Sequence, residues 1–429
     1  MEVQADPALV RLVALDAAGR VQPGWPWLAP AVEPVVGYPS VNAALAADGS
    51  VVVVAGTKAG ASSVHRLDRT GQEQPGYPVQ VATNGFCHPP LLAASGTAYV
   101  TCDLQDSLNG DTVRAATFAL RPDGSTVAGW PVRTGPTAQD PLLAANGTLF
   151  LAITKKGSTR LAAYGPDGRL RAGWPRTVPT DASLALGPAG RLWVTWRTYG
   201  QDSGECGLPV WTRYEILARN GRTLSGWPVS VAGWSSDPTI ARDGTTFVAS
   251  QRGRMTAYTP TGMVKAGWPV SIPVRPAACY GGSSPQLAAG GRILIAGPRS
   301  RFGSRSANGV VTMKTTSGSR VAGWPAAVAA RLATDCPSCV PGPGPIIPPA
   351  IGARRIYVGA YSGDLPRVVV FDRTGHRPPA AQRRLVASGA WQLAWIRVAP
   401  TGRVWTLIIG EEAGGILQPI AQDRVLPAP

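Results

Sequence analysis

The 429-residue sequence carries 41 Lys and Arg against 25 Asp and Glu, a net charge of +16. At 44% hydrophobic content it has material for a sizeable core, and its 51 glycines and 41 prolines punctuate periodic apolar segments, which argues against a disordered chain. No apolar run approaches the roughly 18–20 residues that cross a bilayer as a helix.

In chain order, residues 9–16 alternate in the manner of a strand and lead through the turn Ala18-Gly19 to Gly24-Trp25-Pro26. Gly-Trp-Pro returns at Trp130, Trp174, Trp227, Trp268 and Trp324, with Gly76-Tyr77-Pro78 as a variant. Successive aromatic positions lie 41 to 56 residues apart, a period that signals a repeat architecture. Each motif follows an outer turn: Ala18-Gly19, Thr70-Gly71, Asp123-Gly124, Asp167-Gly168, Asn220-Gly221, Thr261-Gly262 and Ser317-Gly318, with Thr374-Gly375 as an eighth such turn. Between them come inner turns joining continuous apolar strands: Asp48-Gly49, Ser95-Gly96, Asn146-Gly147, Ala189-Gly190, Asp243-Gly244, Gly290-Gly291, Ala353-Arg354 and Thr401-Gly402. Glycine in the left-handed region is what short hairpin turns demand.

Four-stranded antiparallel sheets repeated in this way make a β-propeller. The outer hairpin comes first and the inner one last, so the spacing predicts one eight-bladed domain over 1–429. In it, strands at about 8–27 complete the last blade, at about 391–429. The segment 416–420 either adds a strand to that closing blade or shifts the count, and seven blades is the alternative. Proline suits an outermost strand, where no N–H is needed. Trp25, Tyr77, Trp130, Trp174, Trp227, Trp268 and Trp324 are expected to pack blade on blade as apolar plates, with the glycine admitting close backbone approach. The other reading of these rings is a set of sugar-binding platforms.

Cys87 and Cys102 stand symmetrically about Ser95-Gly96, so a hairpin places them opposite each other. Cys336 and Cys339 lie close enough in sequence to close locally, which leaves Cys206 and Cys279. Six cysteines allow 15 connectivities, but an even set that sorts this way points to an oxidising compartment. With no basic n-region or apolar h-region in residues 1–7, the expectation is an extracellular or cell-surface chain whose signal peptide is removed, or a periplasmic one.

The segment 14–20 followed by Gly24-Trp25-Pro26, and the similar Leu67-Asp68-Arg69-Thr70-Gly71 and Phe371-Asp372-Arg373-Thr374-Gly375, resemble the repeat of quinoprotein-type (PQQ-like) β-propellers. The Gly-Trp-Pro ending is similar to secreted FG-GAP/VCBS-like propellers. The resemblance spans the chain and implies blades docked through such segments. The quinoprotein enzymes stack their cofactor on a disulfide between adjacent cysteines. No two cysteines are adjacent here, so no cofactor is expected.

Residues 103–111 hold three acids and Asn109 at the wrong spacing for a calcium loop and read as a solvated loop. His65, His88 and His376 lack zinc-site spacing, so no metal is expected; His88 enters an inner strand, where it reads as structural. The sequence holds neither a P-loop nor a nucleophile elbow. The irregular segments 196–211, 270–285, 297–309 and 336–349 elaborate one side of the loop rim. Arg197, Arg252, Arg275, Arg299, Arg301 and Arg305, with Tyr199, Trp234 and Tyr280, are the candidate ligand residues. Guanidinium groups grip carboxylate or phosphate, and aromatics stack on sugar faces. Basic residues are not interleaved with aromatics along a strand, and none form a run of five, which sets nucleic acid aside. The expectation is a non-catalytic binding scaffold for a polysaccharide, an anionic envelope polymer or an extracellular protein. The alternatives are a divergent propeller enzyme, either quinoprotein-like or a polysaccharide lyase, and a structural subunit.

Overall fold

The computed structural model describes the chain except for residues 1, 7–8, 15–21, 30–40, 57–60, 106–111, 180–181, 200–208, 275–283, 299–308, 329–330, 333–347, 363–364, 378–381, 385–389, 399–402, 411–413 and 423–429. Among the described residues the protein is all β, built from antiparallel sheets with one short 3-10 turn at Pro188–Gly190. No helix there is long and apolar enough to cross a membrane. The chain forms two compact units, Met1–Val194 with Leu217–Thr223, and Thr195–Ile216 with Leu224–Pro429.

In the first unit, sheet 1 comprises Glu2–Asp6, Leu9–Val13 and Trp27–Leu28; sheet 2 comprises Val41–Leu45, Val51–Gly56, Ser62–Leu67 and Val79–Ala82. Sheet 3 has a split first strand, Gly85–Cys87 and Leu91–Leu92, then Ala98–Gln105, Thr112–Leu120 and Val132–Thr134. Sheet 4 is Leu142–Leu143, Leu149–Lys155, Ser158–Tyr164 and Arg176–Val178. Sheet 5, which supplies residues to both units, is Ser183–Leu186, Leu192–Tyr199, Pro209–Leu217 and Val229–Ala232.

The second unit continues with sheet 6, Thr239–Ile240, Thr246–Ser250, Arg254–Tyr258 and Val270–Ser271, and sheet 7, Gln286–Ala288, Arg292–Pro298, Gly309–Thr315 and Ala326–Val328. Sheet 8 again splits its first strand, Arg331–Leu332 and Ala350–Ile351, ahead of Arg355–Ser362, Leu365–Asp372 and Gln382–Arg384. Sheet 9 is Ala390–Val398, Arg403–Gly410 and Gly414–Gln422.

Strands are lettered a to d in chain order within sheets 2 to 8. The inner and outer turns that fall on described residues join a to b and c to d, as the glycine spacing predicts. Sequence reasoning allots two strands to the N-terminal end and two to the C-terminal end, with 416–420 as a possible further one; the structure forms three at each end, and Gly414–Gln422 is that further strand. Glu2–Asp6 pairs with Leu9–Val13, and Gly414–Gln422 pairs with Arg403–Gly410. The N-terminal strand has neither an apolar run nor a glycine turn leading to Leu9–Val13, the two signals that mark the other hairpins.

The core lies between successive sheets. Val52, Val54 and Val64 of sheet 2 pack on Val100, Cys102 and Leu120 of sheet 3, and Phe247 and Met255 of sheet 6 on Ile293 and Ile295 of sheet 7. Strand b is buried on both faces, as in Val51–Gly56, which explains its unbroken apolar run.

Gly-Trp-Pro stands just before strand d, not within it as the edge-strand reading has it, and all seven aromatic–proline bonds are cis. The aromatic residue closes a turn by donating its N–H three residues back, as from Trp174 to the Arg171 carbonyl at 3.1 Å. The ring then crosses to the next sheet. Trp25 Nε1 donates to the Arg69 carbonyl (3.1 Å), Trp130 to Pro166 (2.9 Å) and Trp174 to Arg219 (2.8 Å) within the first unit. Trp227 donates to Pro260 (3.0 Å), Trp268 to Thr316 (3.3 Å) and Trp324 to Arg373 (3.2 Å) within the second. At the variant motif the Tyr77 hydroxyl donates to the Arg121 carbonyl at 2.8 Å. The six tryptophans are buried. The motif glycine has no room for a side chain: at Gly173 (φ +84°) a Cβ would lie 1.9 Å from the Asn220 carbonyl oxygen.

Candidate functional site at the loop end of the sheets

Because the a–b and c–d turns share one end of each sheet, the b–c and d–a connections share the other. In sheets 3, 4 and 5 the sixth residue of strand b, near this loop end, is polar: Asp103, Thr154 and Arg197; in sheet 6 Gln251 directly follows the five-residue strand b. The same ladder bond fixes the start of strand a opposite it. His88 N–H donates to Thr101 O at 2.8 Å, Ala138 to Ala152 at 2.7 Å and Ser236 to Ala249 at 2.8 Å. Cys87 and Cys102, Thr137 and Ile153, and Ser235 and Ser250 are therefore equivalent cross-strand pairs. In the first pair the sulfurs are bonded, as their symmetry about Ser95-Gly96 predicts.

At the junction of sheets 3 and 4, His88 is ringed by acceptors. Its Nδ1 lies 2.6 Å from Asp140 Oδ1, and its Nε2 lies 2.7 Å from Thr137 Oγ1 and 3.1 Å from Asp103 Oδ2. Thr137 in turn donates to Asp103 from its backbone N–H at 2.9 Å and its hydroxyl at 2.6 Å. Asp103 is buried, and the Asp140 side chain is 71% exposed. Burial pulls the His88 pKa down, but the hydrogen bonds to Asp103 and Asp140 outweigh it and leave it raised. Sequence reasoning folds Asp103 into a solvated acidic loop. The structure places it in strand b of sheet 3 and buries it against sheet 4; residues 106–111 lie outside the described residues. The Asp140-Pro141 dipeptide, repeated as Asp237-Pro238 ahead of strand a, was the available signal.

The second cluster joins sheets 5 and 6 within the second unit. Arg197 Nη2 donates to the Ser235 carbonyl at 3.0 Å and to Asp237 Oδ1 at 3.3 Å, and its guanidinium carbon lies 5.6 Å from the Trp234 ring centre. Beneath it, Thr212 Oγ1 donates to Gly233 O at 2.9 Å and accepts from Ser235 N–H at 3.0 Å. The buried Tyr214 hydroxyl donates to Ser236 O at 2.6 Å. Burial pushes the Tyr214 phenol far above its ordinary value, so it stays protonated and acts as a donor, never as a base.

Of the sequence-derived ligand candidates, Arg197 and Trp234 are in contact. Trp234 is buried as the shelf on which Arg197 lies, not presented as a platform. Tyr199, two residues beyond Arg197, is exposed, as is Arg252 at the b–c turn of sheet 6. Val210 and Trp211, which sequence reasoning did not select, are also exposed, at the start of strand c in sheet 5. Arg275, Tyr280, Arg299, Arg301 and Arg305, and Cys206, Cys279, Cys336 and Cys339, lie outside the described residues. Among the described residues no group of three or more His, Cys, Asp and Glu is placed to hold a metal ion.

No protein-family model matches the chain, and no curated protein matches it. Among solved structures it is similar to a prolyl endopeptidase (13% identity, TM-score 0.46, covering 87% of this chain and 55% of that one). It is also similar to an acylaminoacyl peptidase (10%, 0.44, 78% and 51%) and to the C-terminal WD40 domain of Sif2 (10%, 0.44, 86% and 92%). The chain thus spans about half the length of the two peptidases. These are β-propeller-type folds, and at such identities and scores the likeness carries nothing about activity.

Proposed function

We propose that this chain is a secreted or cell-surface β-propeller of eight blades in one domain, which binds an acidic polysaccharide through the loop end of sheets 5 and 6 without performing catalysis. The observation that carries the reading is the exposure of Tyr199, Val210 and Trp211 around the b–c connection of sheet 5, beside an Arg197 held in place by Asp237 and Trp234. Large apolar side chains left in water at one connection make a stacking surface for sugar rings. A fixed, partly buried guanidinium at Arg197 and an exposed one at Arg252 supply the charge that carboxylates of such a polymer answer, and the net charge of +16 favours its approach. Arg275, Tyr280, Arg299, Arg301 and Arg305 are proposed to extend the same surface. The Cys87–Cys102 bond fits an extracytoplasmic setting.

The test is binding to acidic and neutral polysaccharides at low and physiological salt, with Tyr199→Ala and Trp211→Ala alongside. Salt-sensitive binding to the acidic members that either variant weakens about tenfold or more supports the reading, since one stacked ring contributes about 1–2 kcal/mol. Binding that neither substitution alters overturns it.

A further inference from the structure

We propose that His88 is an imidazolium clasp which fastens the loop end of sheet 3 to that of sheet 4 and lets go when it loses its proton. The argument is one of donors and acceptors. Thr137 spends its hydroxyl proton on Asp103, so the atoms facing the ring are a hydroxyl oxygen with only lone pairs left to offer and two carboxylates. Nε2 has to donate, and so does Nδ1, whose partner Asp140 stands at 2.6 Å. A neutral imidazole has one N–H, so either tautomer leaves a ring nitrogen lone pair against an acceptor at hydrogen-bond distance. Only the cation satisfies both sides.

Among the described residues the charged groups facing the ring are Asp103, from strand b of its own sheet, and Asp140, from sheet 4. Phe86, whose ring centre lies 5.7 Å away, and Thr137 are neutral. The cation is also the bridge between sheets. Asp103 already holds Thr137, while Asp140 is fastened to sheet 3 through His88. The Nε2 proton is held by the buried Asp103 and by Thr137, so the proton lost is the one on Nδ1, and its loss frees Asp140 and the segment leading to strand a of sheet 4. The Cys87–Cys102 bond, one residue before both His88 and Asp103, keeps the sheet 3 half in place while this happens. The raised pKa of His88 is what such a site requires.

The sign follows from linkage. A His whose folded pKa lies above its ordinary value of 6.5 contributes stability that is full below that value and is lost as pH rises through the folded pKa. The experiment is a ¹H–¹⁵N imidazole titration of the full chain from pH 5 to 9, with His88→Asn to assign the resonance, and thermal melts of both proteins over the same range. The expected result is a doubly protonated His88 at pH 6.5 with a midpoint above it. The melting-temperature advantage of the parent over His88→Asn should then shrink as pH rises. A neutral His88 at pH 6, or an advantage that does not change with pH, overturns the proposal. Should His88→Asn fail to fold, Asp140→Asn, at an exposed side chain, should lower the His88 midpoint by roughly half a unit or more. An unmoved midpoint overturns the clasp equally.

Discussion

The variant motif at Tyr77 supplies an internal calibration for the tryptophan clasps, and it is best exploited at Trp174. This side chain is 6% exposed, meets Phe150 edge-on at 5.4 Å and donates Nε1–H to the Arg219 carbonyl at 2.8 Å. Trp174→Ala removes ring, edge contact and donor together and should cost about 3–5 kcal/mol. Trp174→Phe and Trp174→Tyr keep most of the ring and the edge contact and differ only in the hydroxyl. Tyr77 shows that a phenol at this position reaches the same carbonyl, at 2.8 Å from Arg121 O. Trp174→Tyr should therefore retain about 1 kcal/mol that Trp174→Phe loses, the net worth of one hydrogen bond. Arg219 is an exposed residue, so water can replace the lost donor in part, which keeps the figure near 1. Tyr77→Phe isolates the same bond in its native setting and should cost a similar amount. Guanidinium unfolding followed by far-UV circular dichroism measures all four variants. Equal midpoints for the Phe and Tyr replacements of Trp174 would show that the Nε1–carbonyl contact is incidental and that the clasp is packing alone.

The close approach of the motif glycine to the next turn predicts a paired result. Gly226→Ala would set a Cβ 1.9 Å from the Thr261 carbonyl at φ +83° and should cost more than about 2 kcal/mol, whereas Gly157→Ala, at φ +74° with nothing within 4 Å, should cost only the left-handed conformation, about 1 kcal/mol; similar losses of denaturation midpoint in the two would refute the steric argument. Opening the Cys87–Cys102 bond with a double serine replacement releases a loop of separation 15 and should lower stability by about 3 kcal/mol under non-reducing conditions, with the difference vanishing in reductant. An unchanged melting temperature would mean that the hairpin is held as well without the bond.

What the sequence displayed was whatever recurs. Glycines at the hairpin turns, apolar b strands and the Gly-aromatic-Pro motif are each demanded seven or eight times over by the same local geometry, so their spacing identified the a–b and c–d hairpins of sheets 2 to 8. What it hid depends on a side chain meeting another from a different sheet. Nothing local distinguishes Asp103 from the acids that follow it, since its partner Thr137 stands 34 residues away. Trp234 looked like a platform because apolar size is visible in sequence, while the guanidinium that covers it comes from the preceding sheet. Trp211 falls at the end of the segment 196–211 read as irregular, where the arginines drew the assignment; the structure carries strand c from Pro209 and leaves Val210 and Trp211 both exposed at its start.

The two ends of the sheets differ in what they accept, and that difference explains why one end repeats and the other does not. At the turn end each aromatic donates to a main-chain carbonyl, a group every residue carries, so the motif works whatever side chain stands at Arg69, Pro166, Arg219 or Thr316. At the loop end of sheets 3 and 5 the sixth residue of strand b meets the start of the next sheet through its own side chain. Asp103 accepts there from Thr137, and Arg197 donates to Ser235 and Asp237, with opposite charges solving the same positional problem. The main-chain ladder bonds of strand a are alike in sheets 3, 4 and 6, so the frame does not dictate what stands at this step. A step that holds Asp103 in sheet 3 and Arg197 in sheet 5 is one where side-chain chemistry is open to specialisation. That places the protein's individuality at the loop end, in Asp103 with His88 and in Arg197 with its exposed neighbours, and not in the tryptophans that first draw the eye.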